Sequence, residues 1–150
     1  MNITWYHKHF KELTTSELYQ ILQLRNEGFI VEQNCPFQDL DDKDFKCFHL
    51  IGFNTDWQKI VAYTRIVPAG VSYEEASIGR VVTAPQARGG GIGKELMAKS
   101  IELLEDLYGG VPIKIGAQYY LKEFYESFDF QQVGEIYLED DIEHILMERK

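Results

Sequence analysis

Four of the seven residues Arg88-Gly89-Gly90-Gly91-Ile92-Gly93-Lys94 are glycine, and the run opens into an amphipathic helical stretch. A loop so short of side chains bares its backbone N–H groups, and glycine's tolerance of positive φ lets the chain approach a ligand closely. The helix that follows directs unpaired amides and the positive end of its dipole to the same point. An anion fits such a place, and a diphosphate fits it best.

Spacing separates three kinds of phosphate loop. A P-loop needs a glycine four residues ahead of Gly-Lys-Ser/Thr, but Arg88 holds that glycine position and Glu95 follows Gly93-Lys94. A dinucleotide fingerprint needs a third glycine or alanine where this chain has Leu96. Arg/Gln-x-x-Gly-x-Gly/Ala is satisfied by Arg88, Gly91 and Gly93, after an apolar strand and Pro85. This resembles the acetyl-CoA pyrophosphate loop of the GNAT N-acetyltransferases. That family carries Asn-x-x-Ala-x-x-Phe-Tyr-x-x-x-Gly-Phe downstream. Here Gln118, Leu121, Phe124, Tyr125, Asp129 and Phe130 stand in that register, which keeps the spacing and the aromatics while Asn, Ala and Gly are replaced. Upstream, Leu24-Arg25 through Phe29, Val31-Glu32-Gln33-Asn34-Cys35-Pro36, residues 39–44 and, near the end, His144 resemble the ElaA-type branch.

Composition bounds the answer independently. With 150 residues, 45% of them apolar and 26% charged, the chain is expected to form one globular domain over residues 1–150. No apolar run approaches ~18 residues and residues 1–10 lack an apolar signal region, so a soluble, cytoplasmic protein is expected. Cys35 and Cys47 lack framework or metal spacing and are expected as reduced thiols. A net charge of −9 argues against nucleic acid or an anionic membrane as partner and favours a cationic substrate. The cofactor implied by the resemblance is a polyanion, so backbone amides, which do not titrate, have to hold it against that field, helped locally by Arg88, Lys94 and Lys99. Residues 39–44 fail the calcium-loop pattern at Lys43, Asp44 and Leu50, so no metal is expected. They read as a solvated or capping loop, with Asp41 and Asp44 as the residues that would attract a cationic amine.

Periodicity predicts a strand over residues 3–10 and a helix from Ser16 toward Arg25, entered through the capping-box pair Thr14 and Glu17. A short helix is expected near residues 27–31. Strands are expected over 47–53 and 59–67, joined by a hairpin at Asn54-Thr55-Asp56, and over 76–83. The glycine run starts a helix of roughly 16 residues, about 24 Å long, with Ile92, Leu96, Met97, Ile101, Leu104 and Leu107 on its apolar face. A strand over 113–118 should lie beside the preceding one. A short helix over 120–127 and strands over 130–138 and 142–148, around the turn Glu139-Asp140-Asp141, complete an α/β layer structure.

The resemblance adds detail that periodicity does not supply. It implies the GNAT fold, an α/β arrangement with a mixed, mostly antiparallel sheet of six or seven strands splayed at strands 4 and 5 and flanked by about four helices. Acetyl-CoA is the implied cofactor, its pantetheine arm along Val81, Val82 and Thr83, its diphosphate on Arg88, Gly89, Gly90, Gly91, Ile92, Gly93 and Lys94, with Gln118, Phe124 and Tyr125 completing the site. The implied chemistry is transfer of the acetyl group to a primary amine of a small molecule, or less readily to a protein lysine or N-terminus. A backbone N–H near Val82 or Thr83 would meet the oxyanion, and Tyr125 would act as general acid to the departing thiolate.

No motif selects the base. Candidates are His144, Glu32 and His49, with Asp41 and Glu143 also able to accept a proton. Arg25, Phe29, Asp41 and Asp44 are candidates for the acceptor side, and a homodimer through the terminal strands is common among such proteins. Two alternatives stay open. One is a silent acyl-CoA-binding module. The other is an acyltransferase like the acyl-homoserine-lactone synthases, which Arg25, Phe29, the acidic stretch and Arg65 loosely resemble.

Overall fold

The computed structural model describes residues 2–150. Strands β1 (Ile3–His9), β2 (Phe48–Asn54), β3 (Lys59–Val67) and β4 (Ser77–Thr83) form an antiparallel sheet in the order β1-β2-β3-β4. A second antiparallel sheet, in the order β5-β7-β6, contains β5 (Ile113–Gln118), β6 (Gln131–Glu139) and β7 (Ile142–Arg149). Helices α1 (Thr15–Arg25), α2 (Ile92–Tyr108) and α3 (Lys122–Glu126) join them. This is the mixed α/β architecture the sequence predicts.

β3 is the axis of the first sheet, buried at every residue after Lys59. Because successive side chains alternate between faces, Tyr63 turns to the side of α1, where the Arg25 guanidinium lies 5.8 Å from its ring centre. Thr64 turns to the side of α2 and meets the Ser100 hydroxyl at 2.8 Å. The helices therefore cover opposite faces. Ile92, Leu96, Met97, Ile101 and Leu104 of α2 are buried, each contributing on the order of 1.5–3 kcal/mol, and Leu107 is half-buried.

The Thr14–Glu17 capping box is formed in both directions, at 3.1 and 2.8 Å, and it starts α1 at Thr15, one residue ahead of the predicted Ser16. The short helix expected near residues 27–31 is a π-helical continuation of α1 (Asn26–Val31), closed by Glu32 N–H donating to the Glu27 carbonyl. The hairpin between β2 and β3 turns one residue later than expected, with Asn54 inside the strand and its Oδ1 accepting from Asp56 and Trp57 N–H. The predicted helix over 120–127 is a 3-10 turn (Tyr119–Leu121) followed by α3.

The two sheets meet at one bridge, Ala76 to Ile113, with Lys114 N–H donating to the Ala76 carbonyl at 2.9 Å. Beyond it β5 gives its hydrogen bonds to β7, so the expected pairing of β4 with β5 holds at one end only and the strands part, as the resemblance implied. Two features of β4 serve the gap. An extra residue between the pairs Tyr63–Val82 and Arg65–Gly79 makes a bulge in which Arg80 takes φ +48°. Ala84 N–H donates to the Val61 carbonyl, so by antiparallel alternation Val82 also turns its main chain to β3 while Val81 and Thr83 turn theirs into the gap.

The acidic stretch departs from the solvated loop expected of it. Arg25 holds Asp39 and Asp44 at 2.9 and 2.8 Å, Arg65 holds Asp41 and Asp44 at 2.7 and 3.2 Å, and Arg80 reaches Asp39 at 2.7 Å. Arg25, Arg65 and Asp44 are buried, so these charges are committed to one another. Burial works to raise the Asp44 pKa, but the hydrogen bond and charge of Arg25, joined by Arg65, hold it below the usual carboxylate range. Asp41 is held low in the same way by Arg65.

Two outcomes follow for stability. A Cβ on Gly28, in the π-helical turn, would sit 2.5 Å from Val82 Cγ2. Gly28→Ala is expected to cost about 1–3 kcal/mol in urea unfolding, and Val82→Ala in the same chain should recover most of it; simple additivity of the two would refute the contact. For the acidic loop, lowered folded-state pKa values mean stability that is complete above the unfolded carboxylate value of about 4 and lost as pH falls toward the folded values. The unfolding midpoint should fall in two steps, a first below about pH 6.5, where His49, whose pKa burial lowers, gains a proton only on unfolding, and a second below about pH 4 from the loop carboxylates. Asp44→Asn should lose about 3–5 kcal/mol already at pH 7 and show a shallower acid decline.

Candidate functional site

A cavity of about 800 Å³ fills the gap between β4 and β5. One wall is residues 78–83 of β4, the opposite wall residues 115–118 of β5, and Phe29, Glu32, Cys35 and Phe37 close the side toward α1. At one end stand Arg88 and Gly93, and at the other Glu139, Asp140, Ile142 and His144. Tyr120, Leu121, Phe124 and Tyr125 border it from the segment after β5.

The glycine run has the geometry its composition suggests. Gly91, at φ +81°, is the N-cap of α2, and the first intrahelical bond is Glu95 N–H to the Gly91 carbonyl. The amides of Ile92, Gly93 and Lys94 therefore have no partner within the helix. A Cβ built at Gly89, Gly90, Gly91 or Gly93 meets no atom within 4 Å, so the space before those amides is open. Gly93, in the first turn of α2, lies on the cavity wall, Ile92 is buried in the core, and Lys94 is exposed at the same turn.

Arg88 does not project freely from this loop. Its guanidinium forms a bidentate pair with Glu32 at 2.7 and 2.9 Å, and also donates to the Thr83 carbonyl at 2.9 Å and hydroxyl at 3.2 Å. Glu32 reaches the cavity as expected of a base candidate, but the hydrogen bond from Arg88 holds its pKa down and both its oxygens are occupied. While this pair is formed, neither oxygen is open to an incoming proton.

Tyr125, on α3, is buried with its ring edge-on to Phe124 and Phe130 at 5.1 and 6.1 Å between centres. Desolvation, with Tyr120 nearby, pushes its pKa up to about 12, so the phenol keeps its proton throughout the neutral range. Gln118 ends β5 on the wall and donates to Gln33 Oε1 at 3.2 Å.

The imidazoles divide clearly. His49 is a core residue, its Nδ1 2.6 Å from the Tyr63 hydroxyl and its Nε2 3.0 Å from the Asp44 carbonyl. Burial lowers its pKa, both nitrogens are used, and it is off the cavity wall. His144 is buried yet on the wall. Its Nδ1 lies 2.8 Å from the Ile142 carbonyl, which can only accept, so in the neutral ring Nδ1 carries the proton and Nε2 carries the lone pair. Nε2 lies 3.5 Å from Glu139 Oε2. Glu143 is exposed on β7, off the wall.

Of the acceptor-side candidates, only Phe29 lines the cavity. Arg25, Asp41 and Asp44 belong to the ion-pair network and are corrected to structural residues, because their charges are spent on one another. Sequence reading overlooked Tyr73, Gly116, Tyr137 and Glu139. A Cβ on Gly116 would stand 2.9 Å from the Tyr73 hydroxyl and 3.2 Å from that of Tyr137. A glycine inside a strand was the one signal available for this cluster.

Comparison with known proteins agrees with this geometry. A model of the acetyltransferase (GNAT) domain matches residues 45–150. ElaA of Escherichia coli K12 is 42% identical over 150 residues, covering 99% of this chain and 97% of that protein, and its crystal structure superposes with a TM-score of 0.91. The crystal structure of an acyl-CoA N-acyltransferase from Pseudomonas aeruginosa is 39% identical, covers 99% of this chain and all of that one, and gives a TM-score of 0.94. A CoA-dependent acyl-homoserine lactone synthase shares the fold at a TM-score of 0.78 and 15% identity, over 98% of this chain and 82% of that one. The chain belongs to the GNAT acetyltransferase family.

Proposed function

We propose that the protein is an N-acetyltransferase that moves an acetyl group from acetyl-CoA to the primary amine of a small molecule. The observation that carries this reading is one continuous cavity joining open helix-terminal amides, the gap-facing main chain of β4, the Tyr125 phenol and the Nε2 lone pair of His144.

The residues fit such a donor. The amides of Ile92, Gly93 and Lys94 and the dipole of α2 suit a diphosphate, and the gap-facing groups of Val81 and Thr83 suit the amides of a pantetheine arm. Bound there, acetyl-CoA supplies a thioester carbonyl as electrophile. An alkylammonium of pKa ~10.4 is neutral in only about one part in 10³ at pH 7, a deficit of roughly 4 kcal/mol that a base has to meet. His144 Nε2 takes one proton from the ammonium and releases it to solvent. Thr83 N–H, which alternation turns into the gap, donates to the oxygen that becomes negative as the C–N bond forms. Tyr125 gives its proton to sulfur as the C–S bond breaks and recovers one from the nitrogen now bonded to carbon. The ammonium thus loses two protons, one to solvent and one to the thiol, and keeps the third in the amide.

Acetyl-CoA turnover against a panel of alkylamines, followed by thiol release, tests the reading; acceptor-independent or absent thiol release would leave only a CoA-binding module. Tyr125→Phe should lower kcat by roughly 10- to 10³-fold while the CoA dissociation constant by calorimetry barely moves, and an unchanged kcat would remove Tyr125 from the chemistry. His144→Gln should lower kcat by about 10²-fold with the CoA dissociation constant little changed, whereas Glu32→Gln should leave kcat within about threefold.

A further inference from the structure

We propose that the far end of the cavity is a subsite for a primary alkylammonium ion, in which the wall supplies the Glu139 carboxylate and His144 Nε2, and the Tyr73 and Tyr137 hydroxyls, not themselves on the wall, stand against Gly116 at its edge. The inference rests on the acyl-transfer reading and names the residues that receive the ammonium group of its acceptor.

Gly116 lies in the middle of β5 with an ordinary backbone conformation, so its missing side chain is a matter of space. The space is taken by two phenol oxygens, at 2.9 and 3.2 Å from where a Cβ would be. Tyr73 reaches it from the segment between β3 and β4. Tyr137 is delivered by an irregularity in β6, which advances four residues, with Gly134 at φ +84°, while β7 advances two between the pairs Val133–Leu146 and Tyr137–His144. Tyr137 thereby stands opposite His144 and stacks on it, 5.8 Å between ring centres and 28° between planes. Gln118 is the β5 partner of His144, so Gly116, two residues away, shares their face.

No protein group hydrogen-bonds either phenol oxygen among the described residues, and Glu139 Oε2 stays 3.5 Å from His144 Nε2. Desolvation keeps both phenols protonated, Tyr137 at about 12, with Tyr73 and Glu139 adding to the effect there and Glu139 at Tyr73. The corner therefore presents a carboxylate, two neutral phenol oxygens and an imidazole lone pair. An ammonium offers three N–H donors and a positive charge, which is the complement of that set. The wall holds no competing cation, because Arg80 is paired with Asp39 and Asp41 and Arg88 with Glu32. Lys114 is itself a primary alkylammonium, and its Nζ lies over the Tyr73 ring, 5.7 Å from the centre, leaving the hydroxyl open. The subsite also sets the proton's path, since an ammonium on Glu139 places its nitrogen beside the atom that deprotonates it.

The test uses the full-length protein with its nine tyrosines replaced by 3-fluorotyrosine, observed by ¹⁹F NMR in the presence of CoA. Tyr73→Phe and Tyr137→Phe identify their resonances by deletion. Titration with n-hexylammonium should shift those two resonances saturably, whereas n-hexanol, of the same shape without charge, should not. Glu139→Gln, at the exposed end of β6, should weaken the hexylammonium response by roughly tenfold or more. Resonances that do not move, that move equally with hexanol, or that respond undiminished in Glu139→Gln would each overturn the subsite. The titration needs no turnover, so a failed amine panel would remove the catalytic reading while a positive titration would still establish ammonium binding.

Discussion

The site exists because β4 and β5 stop pairing after one bridge. A parallel pair that ran on from Ala76–Ile113 would consume the main-chain groups of Val81, Thr83 and residues 115–118 and leave no cavity. Unpaired backbone in the middle of a sheet is costly, so something has to hold the strands apart. β5 is held by β7, which takes its hydrogen bonds from Ile113 to Gln118. β4 is held by the bulge at Arg80 and by the π-helical turn that Gly28 lets press against Val82. The parting is thus set by β7, the β4 bulge and the π-helical turn, and the gap-facing main chain of Val81 and Thr83 remains available for a ligand.

The ion-pair network belongs to the same construction. Asp39, Asp41 and Asp44 bind Arg25 from α1, Arg65 from β3 and Arg80 from the β4 bulge, so one loop ties three elements around the α1 side of the cavity. Phe37 and Cys35, just before it, form part of the cavity wall, and Phe37 also lies under the Arg80 guanidinium at 5.9 Å. A chain of net charge −9 therefore spends its most conspicuous acidic cluster on scaffolding. The Arg88–Glu32 pair is different in kind. Both side chains are about two-fifths exposed, so solvent screens the pair and it contributes little to stability, which leaves its partners free to exchange at low cost.

The parts of this protein that were legible in sequence are those with a local period or a backbone requirement. The capping box at Thr14, the apolar face of α2 and the glycine run all follow from spacing within one element, and the structure reproduces them to within a residue or two. The acidic loop was misread because a run of aspartates carries no mark of the arginines that meet it: Arg25, Arg65 and Arg80 lie 14 to 41 positions away in the chain. No motif selects between His49 and His144 as a base, and tertiary contacts separate them. One uses both nitrogens in the core, and the other keeps Nε2 toward the cavity.

The acceptor end of the cavity shows the same limit from the other direction. Its residues come from a connecting segment, a bulged strand that gives both Tyr137 and Glu139, and a glycine, and the bulge breaks the strand period that would have related them. A shared fold does not supply them either, since a lactone synthase can match 98% of this chain in outline at 15% identity. What selects an acceptor is the set of hydrogen-bonding atoms left without partners once the fold has satisfied its own. On that criterion the glycine-loop end offers donors, and the end at Gly116 offers acceptors together with the acidic residues Glu139 and Asp140. The cavity is therefore polarised along its length, anion-seeking at α2 and cation-seeking at the β6–β7 turn. A reaction between a polyanionic acyl donor and an ammonium is the kind of chemistry that uses both ends at once.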